Sequence, residues 1–240
     1  MRRIRSILLG IVAVIALVAI AFLVWANMVM LGEREQALEV WNDGDITITS
    51  NDGSVTLAPT SGATGEGLLF IPGAKVDPYA YMYKLSGLVD AGLTVVITEP
   101  TLNLAFFDTR TLSDFAPYAP GVTEWYVGGH SLGGVRACML ADSPDVAGVI
   151  LFGSYCANDL SRSDLSVLSF AGTNDGLSTP DKIASAAPFL PSDTTFVDIF
   201  GANHASFGDY GVQPGDGTAS ISSEEVRDRI TSEVQDFLAG

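Results

Sequence analysis

The segment Tyr126–Val135 places a serine between glycines, at a point where a strand should give way to a helix. It contains Gly-His-Ser-Leu-Gly at positions 129–133, a match to G-x-S-x-G, with a hydrophobic run before it and a helix-compatible stretch after it. A serine on so tight a turn has strained backbone geometry and needs neighbours without bulky Cβ atoms. Such a turn lifts the hydroxyl clear of the sheet and turns free helix N–H groups toward it. The context therefore predicts a reactive Ser131, whereas the motif alone would also fit a glycine-rich turn with an idle serine.

Short apolar runs alternate with helix-like stretches along most of the chain. Strands that alternate with helices form parallel βαβ units covered on both faces, so we expect an α/β fold with a mostly parallel, doubly wound sheet. Helical spacing marks Tyr79–Ala91 and Ser223–Leu238, and Asn51-Asp52-Gly53 between two β-prone runs indicates a hairpin. The predicted strands are Gly67–Ile71, Leu93–Thr98, Glu124–Val127, Ala147–Phe152, Ser166–Ala171 and Thr194–Phe200.

Polar residues follow three of these strands, and functional groups of open α/β sheets collect at the carboxyl ends of strands. Ser131 follows one strand, Asp175 lies in a glycine-rich loop after Ser166–Ala171, and His204 follows Thr194–Phe200. A histidine can take the proton of a serine hydroxyl near neutral pH, and a carboxylate can fix the tautomer of that histidine. The chain order Ser, Asp, His therefore predicts a catalytic triad of Ser131, Asp175 and His204.

Few other side chains compete for these roles. The chain has one further histidine, His130, whose side chain should point into packing or hydrogen bonding near the sheet because it adjoins Ser131. Asp198 lies within a predicted strand and Asp181 looks like the start of a helix. The expected carboxylate is therefore Asp175.

Two backbone N–H groups should complete the site as an oxyanion hole. One belongs to Leu132, the residue after the serine. The other should come from the loop after Gly67–Ile71, where Pro72-Gly73-Ala74-Lys75 stands, and Ala74 is the expected donor. A plain turn is compatible with the same residues, and Lys75 is expected to be a solvated residue at the rim.

Four segments resemble the α/β-hydrolase superfamily, and more narrowly a group of bacterial membrane-anchored or secreted α/β hydrolases. They read Phe-Ile-Pro-Gly-Ala-Lys-Val, Pro-Thr-Leu-Asn-Leu-Ala, Gly-Gly-His-Ser-Leu-Gly-Gly and Gly-Ala-Asn-His-Ala-Ser-Phe-Gly-Asp-Tyr-Gly. The resemblance spans roughly Asp45–Gly240, and it implies the α/β-hydrolase fold with the same roles for Ser131, Asp175 and His204. The lipase-type His-Gly-Gly-Gly stretch is absent, and Pro72-Gly73-Ala74 replaces it. The resemblance does not fix a substrate.

The function expected from this arrangement is a serine hydrolase that cleaves a small carboxylic ester through an acyl-enzyme. The same triad could transfer the acyl group to another alcohol, or cleave a thioester or an amide. An alternative of another class is a non-catalytic anchored binding domain, although a degenerate copy should have lost a triad member. The connection Gly153–Asp164 is too short for a substantial lid, so the site should be open to small soluble esters. No cofactor and no metal are expected, since no nucleotide loop or metal-type spacing is visible.

The first 32 residues differ in composition from the rest of the chain. Ile7–Leu31 is an uncharged run of 25 residues, long enough to cross a bilayer as a helix. Arg2, Arg3 and Arg5 precede it, so the N-terminus should lie in the cytoplasm and the domain outside. A clean cleavage site is missing, which favours an uncleaved signal anchor over a cleaved signal and a secreted enzyme. The expected organisation is an anchor over 1–32, a connecting helix or linker over 33–44 and a catalytic domain over 45–240.

The chain from Glu33 onward is strongly acidic, with nine basic and 28 acidic residues and a formal charge of −19. This charge argues against binding of nucleic acid or of anionic lipid by the domain. The cysteines, Cys138 and Cys156, could form a disulfide in an oxidising compartment or remain buried free thiols, because spacing does not show the required geometry. The sequence does not predict the oligomeric state.

Overall fold

One mixed sheet of eight strands organises the protein in a computed structural model, which describes residues 2–240 and the side chains from residue 3 onward. The strand order is β1-β2-β4-β3-β5-β6-β7-β8. The strands from β4 to β8 in this order pair in parallel, and the β1–β2 hairpin joins β4 antiparallel. The prediction of a mostly parallel sheet is therefore confirmed. The strands are β1 (Ile46–Asn51), β2 (Ser54–Pro59), β3 (Glu66–Ile71), β4 (Thr94–Thr98), β5 (Glu124–His130), β6 (Val146–Phe152), β7 (Ser166–Gly172) and β8 (Thr195–Ile199).

Helices cover both faces of this sheet. Neighbouring residues of β3 point to opposite sides, so that Leu68 and Phe70 belong to one hydrophobic core while Leu69 and Ile71 belong to the other. Because both of their faces are buried, central strands such as β3 and β4 are continuously apolar and show no alternation in the sequence. The α-helices of the described residues are α1 (Arg2–Ala26), α2 (Arg34–Trp41), α3 (Met82–Asp90), α4 (Leu112–Phe115), α5 (Leu132–Leu140), α6 (Pro180–Ala186) and α7 (Ser223–Ala239).

Each hydrophobic core lies between one face of the sheet and the helices that cover that face. Residues of α3 and α7 share the core that contains Leu68 and Phe70, and residues of α5 share the core that contains Leu69 and Ile71. The carboxyl ends of the parallel strands, where functional groups collect in sheets of this kind, lie between these layers.

The hairpin and most other elements agree with the sequence-based expectation to within one or two residues, and the differences have local causes. The strand before the serine continues to His130, beyond the expected end at Val127, because residues 128–130 extend the pairing with β3 and β6. The stretch expected as a helix from Tyr79 begins as a 3-10 turn at Pro78–Tyr81 before α3 starts at Met82. No helix or strand lies between Gly153 and Asp164, which agrees with the expected absence of a substantial lid.

The N-terminal helix stands apart from the core. Arg3–Ala26 is long and apolar enough to cross a membrane, a property shared by anchors and signal sequences. The side chains from Arg3 to Ala21 are exposed, whereas Ala26 at the end of the helix is buried. Beyond it, α2 lies in the stretch expected as a connecting helix, and the domain boundaries themselves stay predictions.

Cys138 and Cys156 form a disulfide, with Cα atoms 5.5 Å apart. The bond joins α5 to the loop after β6, and both residues are buried in the core on that side of the sheet. The alternative of two free thiols is therefore wrong. The bond fixes the helix that begins directly after Ser131 to the neighbouring strand end.

Replacement of both cysteines in the Cys138→Ala/Cys156→Ala variant should lower the free energy of unfolding by about 3 kcal/mol, the entropic effect of a short cross-linked loop. Urea unfolding of the detergent-solubilised protein measures this difference. Reductant should destabilise the wild type by a similar amount and leave the variant unchanged. A wild type that is insensitive to reductant although its disulfide is fully reduced would contradict the prediction.

Candidate active site

Ser131 lies at the turn between β5 and α5, with a backbone conformation that side chains rarely adopt, φ 53° and ψ −123°. Hydrogen bonds hold the turn on both sides of the residue. The N–H of Ser131 donates to the carbonyl of Phe152 over 3.1 Å, and its carbonyl accepts from the Ser154 hydroxyl over 2.6 Å. Strain of this kind persists only where surrounding contacts over-determine the backbone, and it concentrates at functional sites.

Gly133 brings the loop after β3 against the start of α5. A Cβ atom at this position would lie 1.9 Å from the carbonyl oxygen of Ile71 and 2.5 Å from that of Pro72. Only glycine permits such an approach of backbone to backbone. The last glycine of the G-x-S-x-G pattern therefore places the loop that contains Ala74 beside the turn that contains Ser131.

Asp175 and His204 form a buried hydrogen-bonded pair, with Oδ2 and Nδ1 2.7 Å apart. The other carboxylate oxygen, Oδ1, accepts from the backbone N–H groups of Leu177 and Ser178, each over 2.7 Å. These two bonds fix the carboxylate so that Oδ2 faces the imidazole. A neutral His204 then carries its proton on Nδ1 and leaves Nε2 unprotonated, the arrangement that a general base requires.

The serine lies at the same edge of the sheet as this pair but is not bonded to it. The three residues Ser131, Asp175 and His204 follow β5, β7 and β8 at one edge of the sheet. Within residues 2–240, no hydrogen bond joins Ser131 Oγ to His204. The ring of His130, next to Ser131 in the chain, instead lies 4.4 Å from the ring of His204, measured between centroids.

His130 is buried between the sheet and the candidate base. Its Nδ1 lies 2.9 Å from the hydroxyl of Tyr81, and that hydroxyl accepts from the N–H of Gly73 over 2.9 Å. The Tyr81 hydroxyl keeps its own proton free to donate to Nδ1, and Nε2 of the buried ring has no hydrogen-bond partner among the described residues. Burial, and next the charge of the neighbouring His204, lowers the pKa of His130 well below its ordinary value. Packing and hydrogen bonding were expected for this side chain, whereas its contact with His204 was not.

In the loop after β3, one backbone N–H group donates to no residue in the described part of the chain. The N–H of Gly73 is bonded to Tyr81, and the N–H of Lys75 donates to the carbonyl of Asn103 over 2.7 Å. Between them, the N–H of Ala74 has no hydrogen-bond partner in residues 2–240, and the same is true of Leu132 at the start of α5. These two groups are the ones the sequence singled out as oxyanion donors.

Asp216 is a structural residue of the site that the sequence analysis missed. Its carboxylate accepts from the backbone N–H groups of His204 over 3.0 Å, Ala205 over 2.9 Å and Gly176 over 3.1 Å. It therefore ties the loop of His204 to the loop of Asp175. The available signal was an aspartate with a glycine on each side, between the last strand and the last helix. This pattern predicts a turn, but it does not predict which backbone groups the carboxylate binds.

A cavity of about 360 Å³ opens beside the serine turn. One wall is the exposed side of α5 and the other is the loop after β4. A larger cavity of about 630 Å³ lies at the opposite, amino ends of β5 and β6, away from Ser131. Within the described side chains, no cluster of His, Cys, Asp and Glu has an arrangement suited to a metal ion. The cavity beside the serine is lined by Phe106, Asp108, Thr109, Leu132, Val135, Arg136 and Met139.

Comparison with known proteins agrees with this architecture. The sequence profile of the alpha/beta hydrolase family matches residues 67–228. A predicted CIB-like hydrolase from Thermoplasma acidophilum has a similar structure, with a TM-score of 0.59 and 13% identity over 80% of this chain and 99% of that one. The protein TT1662 from Thermus thermophilus is similar with a TM-score of 0.58 and 13% identity, over 81% of this chain and 99% of that one. No curated protein sequence matches the chain significantly.

The fold and the family match together define the class of the protein. The chain belongs to the alpha/beta hydrolase family, and this fold supports a hydrolase. At 13% identity, the two structural neighbours show the fold. The narrower resemblance to bacterial membrane-anchored members stays a prediction.

Acid should destabilise the protein through His130. The unfolded chain binds a proton at this residue near pH 6.5, whereas the folded protein binds it only at much lower pH because burial lowers its pKa. The free energy of unfolding should therefore fall below pH 6.5, by up to about 1.4 kcal/mol per pH unit from this residue. His130→Gln should remove that part of the slope, measured by urea unfolding between pH 5 and pH 8.

Tyr81→Phe is the matched control, because it removes the hydrogen bond to Nδ1 and keeps the buried histidine. Its acid slope should therefore resemble that of the wild type, at a lower overall stability. Identical slopes for His130→Gln and the wild type would show that His130 is not buried in its neutral form.

Proposed function

We propose that the protein is a serine esterase that cleaves a carboxylic ester through a triad of Ser131, Asp175 and His204. The observation that carries this proposal is the buried hydrogen bond of 2.7 Å between Asp175 and His204, beside a serine in strained geometry. A carboxylate, an imidazole and a hydroxyl at the carboxyl ends of strands in one sheet are the groups that nucleophilic acyl transfer requires. Their order in the chain is the order found in this family.

The reaction would proceed in two halves through an acyl-enzyme. His204 Nε2 takes the proton of the Ser131 hydroxyl as the serine Oγ attacks the ester carbonyl. His204 then gives that proton to the departing alcohol. Water repeats these steps on the acyl-enzyme, so that the carboxylic acid leaves and the serine is restored. The absent hydrogen bond between the serine and the histidine does not oppose this role, because catalytic hydrogen bonds often tighten only when substrate is bound.

The N–H groups of Ala74 and Leu132 would bind the oxyanion that forms in each half. Both lack a partner in residues 2–240, while the N–H groups on either side of Ala74 are already bonded. Donors that are fixed before the reaction stabilise the transition state without reorganisation. Gly133 supports this role, since it brings the two donor segments together.

Ser131→Ala and His204→Ala should each reduce ester turnover by about 10⁴-fold or more, because the members of a triad act as a unit. The double variant should be hardly slower than either single variant. Asp175→Asn should also be severe, through loss of tautomer control. Hydrolysis of 4-methylumbelliferyl acetate and labelling by a fluorophosphonate measure these effects.

Ser154→Ala is a useful comparison, because it removes a hydrogen bond to the carbonyl of Ser131 and leaves the reacting groups in place. It should weaken turnover far less than the triad variants and retain labelling by the fluorophosphonate. Substantial turnover by folded Ser131→Ala would overturn the mechanism. An unlabelled wild type would favour a non-catalytic binding domain, and ester formation with an added alcohol would favour an acyltransferase.

We further propose that α1 is an uncleaved signal anchor and that the domain lies outside the cytoplasm. Contacts between the end of α1 and the domain support retention of the helix. The side-chain amide of Asn103 donates to the carbonyl of Ala26 over 3.2 Å, and Lys75 Nζ lies 4.4 Å from the ring centroid of Trp25. The disulfide is consistent with an oxidising compartment.

Protease added to intact cells should digest the domain of a full-length, membrane-bound protein, because the basic residues before the span hold the N-terminus in the cytoplasm. Immunoblotting of fractionated cells with a tag at each end measures this. A protein found in the medium without its first thirty or so residues would establish cleavage. A domain protected until lysis would establish the opposite orientation.

A further inference from the structure

The end of the apolar helix is fixed to the two loops that frame the candidate active site. Ala26 is bonded to Asn103 in the loop after β4, and Trp25 lies against Lys75 in the loop after β3. Lys75 directly follows Ala74, whose N–H is a proposed oxyanion donor. The helix therefore ends beside the catalytic edge of the sheet.

The segment after the helix is fixed in the same place. The N–H of Met30 donates to the carbonyl of Lys75 over 2.7 Å, and the N–H of Asp77 donates to the carbonyl of Met30 over 2.9 Å. Met30 thus forms a parallel bridge with Val76. Four residue steps separate Ala26 from Met30 and span at most about 14 Å, so the domain stays close to the end of the span.

The aromatic residues at this end of the helix are of the kind found at a membrane surface. Trp25 and Phe22 form a ring contact in the last turns of α1, where tryptophan concentrates at the boundary of hydrocarbon and headgroups. The ammonium group of Lys75 over Trp25 suits the same level, since lysine keeps its charge in the polar layer. With α1 as the proposed anchor, the loops that frame the site would lie near the headgroups.

Two exposed phenylalanines continue the apolar surface from the helix to the site. Phe107 is 45% exposed and contacts Phe22 at 6.0 Å between ring centroids, and Phe106 is 77% exposed and contacts Phe107 at the same distance. Exposed aromatic groups beside a span are suited to the membrane interface. We call Phe106 and Phe107 the aromatic loop.

The aromatic loop also forms part of the cavity beside the serine. Phe106 lines that cavity together with Leu132, Val135 and Met139. These side chains form an apolar wall that extends from the aromatic loop to the residue after Ser131. Two charged residues also line the cavity: Asp108 is paired with Arg110 over 2.6 Å, and Arg136 donates to the carbonyl of Arg110 over 2.9 Å. An apolar chain can therefore follow this wall from the bilayer toward the nucleophile.

We propose that the catalytic edge rests on the bilayer through the aromatic loop, and that the substrate is the ester of an amphiphile held in that bilayer. The substrate class rests on the proposed esterase function. A membrane-borne ester replaces the freely soluble one expected from the short Gly153–Asp164 connection alone. The contact is apolar, because a domain with a formal charge of −19 is repelled by anionic lipid.

The membrane contact is tested without any reference to catalysis. A fluorophore on Phe106→Cys, in full-length protein reconstituted into phosphatidylcholine vesicles, should be quenched by brominated lipid acyl chains. The matched control is the same fluorophore on Phe196→Cys, a phenylalanine that is 48% exposed on the edge strand β8, far from β4 in the strand order. Quenching at residue 106 and none at residue 196 supports the contact. Equal quenching, or none at residue 106, overturns it.

The substrate class is tested with two esters that share a leaving group, 4-methylumbelliferyl acetate in water and 4-methylumbelliferyl laurate in the vesicles. The laurate should have the higher kcat/KM. Phe107→Ser should lower the laurate-to-acetate ratio about tenfold, the effect of removing one aromatic ring from an apolar contact, whereas Phe196→Ser should leave the ratio unchanged.

The outcomes separate this inference from the esterase proposal. A fluorophosphonate-labelled enzyme that prefers the acetate, or a ratio that is indifferent to Phe107→Ser, overturns the membrane-borne substrate and leaves the esterase intact. An enzyme inert to both esters and to the fluorophosphonate, with residue 106 still quenched by lipid, overturns the esterase and the substrate class with it. The membrane contact of the aromatic loop is then supported alone.

Discussion

The strained backbone of Ser131 is the constraint around which the rest of the site is built. A non-glycine residue in such a conformation costs on the order of 1–3 kcal/mol, which the surrounding structure must offset. Here β6 and the loop after it supply both restraints, because Phe152 accepts from the N–H of the serine and Ser154 donates to its carbonyl. The disulfide then joins α5 to the same loop after β6. The turn is thus held by the neighbouring strand rather than by its own sequence.

The loop of His204 is held from two directions. Asp216 binds its backbone on one side and joins it to the loop of Asp175. On the other side, the buried ammonium group of Lys84 on α3 lies 2.6 Å from the carboxylate of Asp209, and the Ser223 hydroxyl at the start of α7 bonds to the same oxygen. Burial lowers the pKa of Lys84, and the charge of Asp209 opposes this shift. A buried ion pair adds little net stability but defines position strongly, and here it sets the distance between two helices and the histidine loop.

The loops after β3 and β4 connect the two functional parts of the chain. Lys75, Leu102 and Asn103 all have positive φ without being glycine, and the Lys75–Asn103 hydrogen bond joins them. One side of this pair of loops exposes the N–H of Ala74, and the other side receives the end of α1. The position of the apolar helix and the geometry of the site therefore depend on the same strained backbone.

The sequence by itself determined the features that are written in local patterns. Continuous apolar runs indicated strands buried on both faces, and glycines around Ser131 indicated a turn that only small residues permit. The order of the strand-end loops then selected Asp175 and His204, because parallel strands bring their carboxyl ends to one edge. Only the tertiary structure decided the contact of His130 with His204 and the hydrogen bonds of Asp216 to the loops of His204 and Asp175. The same is true of the disulfide and of the contact between Trp25 and Lys75. These contacts join residues that are far apart in the chain. Which residues meet depends on distances that are set only when the helices pack against the sheet, and a pattern in the sequence does not contain those distances.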